Sequence, residues 1–212
     1  PNLCNNDIIE FVSKSKHFVP HFHIPLQSGS DILLKLMRRK YLSDLYVQRV
    51  AKINELMPDC CIGVDVIVGF PGETEEEFLK TYNFLKDLEV SYLHVFTYSE
   101  RNDTKALEIK PVVPIEVRRE RSKMLRSLSI KKKRAFYEKF VGETRKVLFE
   151  SEDDEGNMIG FTDNYIKVQV PFEEGLENEL RWVKLEQISK LGFMKAKIVN
   201  ENLTDTNAQF SN

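Results

Sequence analysis

The chain has 212 residues, 42% hydrophobic and 30% charged, with a formal net charge of −2. Such values describe one large or two modest globular domains. No apolar run approaches the length of a membrane span, no N-terminal signal pattern is read, and nucleic-acid binding would need a local basic patch.

Three cysteines, Cys4, Cys60 and Cys61, are too few for a disulfide framework and fit a reducing, cytoplasmic setting. All three read as structural. The chain opens on Pro1 rather than Met, as an excised or processed piece would.

In chain order, "NDIIEFVSKS" predicts a short amphipathic helix and "FVPHFHIPL" a strand. "SDILLKLMRR" predicts a helix capped by Ser30. "SDLYVQRVAKINELMP" predicts a longer one capped by Ser43 and stopped by Pro58. "CCIGVDVIVGF" is a nearly continuous β-branched run, as in a parallel strand buried on both faces. "TEEEFLKTYNFLKDLE" follows as a helix capped by Thr74, and "VSYLHVFTYSE" as another strand. This order demands parallel strands with right-handed crossovers. After a loop, "IEVRRERSKMLRSLSIKKKRAFYEKF" predicts a long basic helix ended by Gly142. Five short strand patterns, "TRKVLFES", "NMIGFTD", "YIKVQVP", "LRWVKLEQI" and "FMKAKIVN", then predict a small barrel or sandwich. The domain boundary is expected between Phe140 and Glu143, with a peripheral tail at 201–212.

In parallel α/β folds ligands bind beyond the C-terminal strand ends, here Gln27, Gly69 and Tyr98. Counting back by twos puts Pro25, Ile67 and Phe96 in one inward layer and His23, Asp65 and His94 in the next, if the strands are not staggered. The polar layer reads as mutually satisfied groups in preference to a metal site. Glu73, Glu75, Glu76 and Glu77 read as dipole compensation and solubility, and "GFPGET" lacks the Lys-Ser/Thr ending of a phosphate loop.

"HIPLQSGSDILLKLMRRKY", "DVIVGFPGETEEEF" and "YLHVFTYSERNDTKA" resemble the second half of the radical S-adenosylmethionine (SAM) barrel of methylthiotransferases. "GFTDNYIKVQVP" resembles their RNA-binding TRAM domain. Its "FTDNY" is most like the branch that modifies threonylcarbamoyladenosine beside the tRNA anticodon. The resemblance implies an α/β chain in which residues 1–140 form a partial (β/α) radical SAM-type barrel of three parallel strands, including a basic linker helix at 115–140. A small all-β, OB-like TRAM barrel at 141–200 follows.

It also implies a full-length enzyme that adds a methylthio group to C2 of the tRNA adenosine, with SAM and two 4Fe-4S clusters as cofactors. The family's Cys-x3-Cys-x2-Cys loop is not in this sequence, so the chain alone is expected to bind no cluster and to be inactive. Carried over by position, Gln27 and Ser28 would face the ribose or methionyl part of SAM. Ile67, Val68 and Gly69 would pack on its adenine, the backbone near Tyr98 would meet the adenine edge, and Phe96 would wall the pocket. Arg38 or Arg39 would reach an anionic group. "ERNDTKA" replaces the family's Pro-Gly turn with Asn102-Asp103.

For tRNA, Lys195 and Lys197 share one strand face, and Lys167 and Arg145 are placed with them. The helix arginines and lysines read as a solvated face in preference to phosphate contacts. Tyr165 is a stacking candidate, while Trp182 reads as core. A non-catalytic RNA-binding module, a small-metabolite barrel enzyme, and a methylthiotransferase for isopentenyladenosine or a ribosomal protein are the competing readings. Strand 21–26 is expected at an open edge, prone to self-association.

Overall fold

The structure is a computed structural model that describes residues 1–199. It divides into two compact units, Pro1–Lys133 and a second beginning at Arg134.

The first unit contains α1 (Asn6–Lys14), β1 (His21–Gln27), α2 (Asp31–Leu36), α3 (Ser43–Leu56), β2 (Cys61–Val68), α4 (Glu75–Asp87), β3 (Tyr92–Thr97), a 3-10 turn (Lys105–Glu108) and most of α5 (Ile115–Glu138). The helix starts follow local capping chemistry. The side chains of Asn5, Ser30 and Thr74 accept from the backbone N–H groups of Ile8, Leu33 and Glu77. The cap predicted at Ser43 is not there. Leu42 holds the cap position without a side-chain bond, and the Ser43 N–H instead donates to Asp31 Oδ1 at 2.9 Å.

The sheet is parallel, in the order β1-β2-β3, which leaves β1 at an edge. One face is dry. Ile24, Leu26, Ile62, Val64, Val66, Val68, Leu93 and Val95 pack with Tyr46, Ile53, Phe78, Leu85 and Leu125 from the helices. Strand alternation turns His23, Asp65, His94 and Phe96 to the other face, which is open. Position 63 of that face has room only for glycine because the Tyr92 ring crosses it, and a Cβ there would sit 2.4 Å from the phenolic oxygen.

The second unit is a closed barrel in the order β4-β5-β6-β8-β7. Its strands are β4 (Thr144–Glu152), β5 (Asn157–Thr162), β6 (Lys167–Pro171), β7 (Leu180–Ile188) and β8 (Met194–Ile198). Val147, Phe149, Val168, Val170, Val183, Leu185 and Met194 fill the interior. Gly160 permits closure, since a Cβ there would come within 2.5 Å of the Leu148 carbonyl oxygen. The last predicted barrel residue, 200, and the tail at 201–212 lie outside the described residues.

Candidate functional site

Two hollows open at the C-terminal ends of the parallel strands. The larger, about 680 Å³, is walled by Ile67, Phe70 and Tyr98. Lys35, Arg38 and Arg39 around the end of α2 line it too, as do Lys105, Ala106 and Glu108 of the 3-10 turn. The smaller, about 350 Å³, is walled by Ile67, Phe96, Tyr98, Arg101, Thr104 and Ala106. Ile67, Tyr98 and Ala106 are common to both. The result is an apolar and aromatic floor with five cationic side chains and one carboxylate at the rim.

Of the expected ligand residues, Ile67, Phe96 and Tyr98 line this region, but four others do not. Ser28 is fully buried, with its hydroxyl 3.0 Å from that of Thr81 and accepting from the Ser30 N–H. Val68 points into the dry face. Gly69, at φ +78°, does give up its side chain to a close neighbour, but the neighbour is Arg118: a Cβ would lie 2.3 Å from Arg118 Cγ. Gln27 is nearly buried and lies opposite Val66, because a bulge between Pro25 and Gln27 breaks the register and puts Gln27 at φ +74°. The Tyr98 N–H donates to Val68 O at 2.8 Å and its carbonyl accepts from Arg118 at 3.0 Å, so that N–H and one lone pair of that carbonyl are already used.

The same register corrects the assumed layers. Asp65 lies level with His94 and Ile67 with Phe96, but His23 lies level with Gly63 and Pro25 with Asp65. The first strand is displaced by one pleat. His23 still reaches Asp65 diagonally, with Nε2 2.6 Å from Oδ1.

A buried ionic network supports the strand ends. Arg118 donates to Val113 O (2.8 Å), Tyr98 O (3.0 Å) and Glu100 Oε1 (2.6 Å). Arg121 donates to Glu73 Oε1 (2.7 Å), Glu73 O (3.0 Å) and Glu75 Oε2 (3.0 Å). Glu73 Oε1 also accepts from the Gly69 N–H at 2.9 Å. Burial pushes the Glu73 carboxyl above the usual range, against the pull of the Gly69 N–H and Arg121. Glu77, also buried, accepts from Ser30 and pairs with Lys80 at 2.8 Å. Two of the four acids read as solubilising are therefore structural. So are several residues of the basic helix: Arg118 and Arg121 are buried, Arg126 donates to Val95 O, and Lys132 donates to Lys86 O and Leu88 O.

In the barrel, Arg145 is pinned rather than free for phosphate. Its side chain is 12% exposed, pairs with Glu143 (3.0 Å) and Asp163 (3.2 Å), and lies over the Phe140 ring. The Lys167 ammonium sits 4.9 Å from the centre of the Phe193 ring. Lys195 and Lys197 are exposed as expected, but Glu155, Glu173 and Glu186 share the hollow of about 580 Å³ beside them. Trp182, read as core, faces outward, because Val183 and Leu185 occupy the interior positions of β7. Lys146 lies opposite it with Nζ 5.4 Å from the ring centre. On the same face Lys184 stands opposite Lys197. An aromatic surface with Lys146, Lys184 and Lys197 thus runs across β4, β7 and β8. The signal for it was in "LRWVKLEQ", once the interior positions are fixed. Tyr165 is exposed and stacks on Phe161 at 4.8 Å.

The cysteines do not suit an iron–sulfur cluster. Cys60 and Cys61 are adjacent and buried, and burial pushes both thiols up to about 12, where the ligating thiolate is suppressed. Burial raises Cys4 as well.

The Radical SAM superfamily model matches residues 2–85, and the TRAM domain model matches residues 138–190. The threonylcarbamoyladenosine tRNA methylthiotransferase MtaB of Bacillus subtilis is 36% identical over 209 residues, covering 94% of this chain and 46% of that protein. The protein of the same name from Aquifex aeolicus is 41% identical over 165 residues, 78% of this chain and 39% of its own. A tRNA-2-methylthio-N(6)-dimethylallyladenosine synthase of Desulfitobacterium hafniense is 32% identical over 188 residues, 88% of this chain and 42% of its own. The chain spans less than half the length of these relatives. Coproporphyrinogen III oxidase (HemN) of Escherichia coli, a radical SAM enzyme, superposes with a TM-score of 0.50 at 11% identity, over 86% of this chain and 44% of that one, which is a likeness of fold alone.

Proposed function

The chain belongs to the radical SAM superfamily and carries a TRAM domain, and from that premise we propose that the whole protein adds a methylthio group to C2 of threonylcarbamoyladenosine beside the tRNA anticodon. Residues 1–140 supply part of the cofactor barrel and the residues from 141 onward supply an RNA grip. The observation that carries the reading is the apolar, aromatic floor of Ile67, Phe96 and Tyr98 beneath a cationic rim at the strand ends. Such a slot suits a nucleoside that bears an anionic group.

In this reading Ile67 and Phe96 pack against the adenine of SAM, and the Tyr98 ring closes one side. Arg38 or Arg39 holds a carboxylate by a two-pronged hydrogen bond. Bound SAM supplies the radical chemistry and the methyl group, while the protein orients it and keeps water out. The iron–sulfur ligands must come from elsewhere, because Cys60 and Cys61 do not fit that role. Trp182 stacks on an unpaired base while Lys146, Lys184 and Lys197 contact phosphates, with Lys195 at the margin.

The test is nucleoside mass spectrometry of tRNA from a bacterial strain lacking its own methylthiotransferases and expressing the whole protein. The expected product is the methylthio form of threonylcarbamoyladenosine. A methylthio group on dimethylallyladenosine instead would transfer the activity to the other group of relatives, and no methylthio nucleoside would overturn the proposal. The 212-residue chain alone is expected to release no deoxyadenosine from SAM after iron–sulfur reconstitution; product above background would refute that part.

A further inference from the structure

We propose that His23, Asp65 and His94 form a binding site for a divalent first-row transition metal ion on the open face of the parallel sheet. Each of the three strands contributes one ligand. Asp65 Oδ1 lies 2.6 Å from His23 Nε2 and 3.6 Å from His94 Nδ1, and the three donor atoms all fall within 4.8 Å of one another. Two imidazoles and a carboxylate favour zinc, iron, cobalt or nickel over magnesium or calcium, which prefer oxygen alone.

Two of the three donor separations are close to what an ion requires, and the third is no more than 4.8 Å. Donors about 2.0–2.2 Å from a tetrahedral ion stand roughly 3.3 Å apart. The His94–Asp65 separation is near that value. The shorter His23–Asp65 contact must open by under ~1 Å, a small ring rotation at an exposed residue. Mutual satisfaction of buried groups does not account for the convergence. The side chains are 34%, 20% and 52% exposed for His23, Asp65 and His94, so water can solvate each of them. His94 Nδ1, 3.6 Å from Asp65 Oδ1, is also too far for a hydrogen bond.

The surroundings hold the ligands on a stiff platform. The Tyr92 ring centre lies 5.1 Å from that of His94 and 6.3 Å from that of His23, and the Tyr92 hydroxyl is 3.0 Å from His21 Nε2. Gly63 provides the space that Tyr92 occupies. Three protein ligands leave at least one coordination position for water or another oxygen donor, facing the open side of the sheet. The site is separate from the strand-end hollows: Asp65 and His94 lie one pleat, about 6.6 Å, before Ile67 and Phe96. It does not depend on the proposed methylthiotransferase activity.

The test uses the 212-residue chain, stripped with chelator and titrated with Co²⁺ and then Zn²⁺. The expected result is one equivalent of Co²⁺ with visible d–d bands and no sulfur-to-cobalt charge-transfer band, displaced by Zn²⁺. His23→Ala, Asp65→Asn and His94→Ala should each weaken binding by more than about 100-fold, beyond the loss seen for outer-shell partners. NMR of the imidazole nitrogens in the wild-type chain gives an answer that no variant's folding can obscure. His23 and His94 should shift with Zn²⁺ while His17 does not. Absence of binding at micromolar metal, retention of it in the variants, a cysteine charge-transfer band, or shifts confined to His17 or His21 would each overturn the site.

Discussion

Gly69→Ala separates two reasons for a glycine at the end of β2. At φ +78° an alanine costs about 1–2 kcal/mol in backbone conformation alone. The added methyl would also lie 2.3 Å from Arg118 Cγ and 2.7 Å from Cδ. Arg118 must then withdraw from Val113 O, Tyr98 O and Glu100. Glu100 is half exposed and adds little. The two carbonyl bonds, at about 1.5 kcal/mol each, bring the total to about 4–5 kcal/mol. That is a large share of a domain stability of about 5–15 kcal/mol. In an Arg118→Ala background the same glycine change should cost only the backbone share, a coupling of about 3 kcal/mol. Urea unfolding followed by helix ellipticity reports the first unit, since the single tryptophan, Trp182, sits in the barrel. A cost of no more than about 2 kcal/mol in both backgrounds would refute the packing argument and return Gly69 to the role of admitting a ligand.

Three further outcomes are expected. Trp182→Ala should weaken binding of an anticodon stem-loop RNA by about 1–3 kcal/mol, and Lys184→Gln should lower the salt slope by about one, whereas Arg145→Gln should lower barrel stability and leave the slope alone; fluorescence anisotropy at several salt concentrations checks all three. The Asn157 N–H, with Gln169 and the Glu155 N–H, holds the Asp153 carboxyl below its usual range, so its contribution is present above the unfolded value near pH ~3.9 and fades as pH falls through the lower folded value. The gap between wild type and Asp153→Asn in Trp182-monitored melts should therefore be wide at neutral pH and close as the pH falls below the usual carboxylate range, and a gap that does not change with pH would sink the assignment. Since β1 pairs only with β2 among the described residues, sedimentation should show concentration-dependent self-association of this chain, and a monomer at every concentration would count against an adhesive edge.

Much of the fold was legible because local rules and tertiary packing agree. The β-branched run at 61–68 is the central strand, and the Ser30 and Thr74 caps lie where the sequence puts them. The site was legible only along each strand. Alternation correctly turned Ile67, Phe96, Asp65 and His94 to one face, but it carries no information on stagger between strands. β1 is already displaced through His21–Pro25, and the bulge after Pro25 shifts Gln27 one residue further, at a positive φ that a glutamine does not advertise. The ionic network was invisible for a related reason: Glu73 and Arg121 are 48 positions apart, and each taken alone looks like an ordinary surface charge.

That network also changes what the basic helix means. Counting its cations overstates the charge available to the proposed RNA partner, because Arg118 and Arg121 are paired inside the first unit. A buried ion pair is a weak source of stability, since desolvation offsets the attraction. Its consequence here is positional: through Gly69, Tyr98 and Glu73, α5 fixes the loops that carry Phe70 and Tyr98 into the larger hollow. Glu73→Ala should cost up to about 3–5 kcal/mol by leaving Arg121 with only the exposed Glu75 carboxylate and the Glu73 carbonyl, while Glu73→Leu with Arg121→Met should recover most of that loss. The double variant still lacks the acceptor for the Gly69 N–H, so that amide should exchange faster with solvent even where the melting point is restored. If the double variant is as unstable as Glu73→Ala, the pair is a source of stability. If stability returns and Gly69 exchange stays at the wild-type rate, the pair does not hold the loop, and the positional role is wrong.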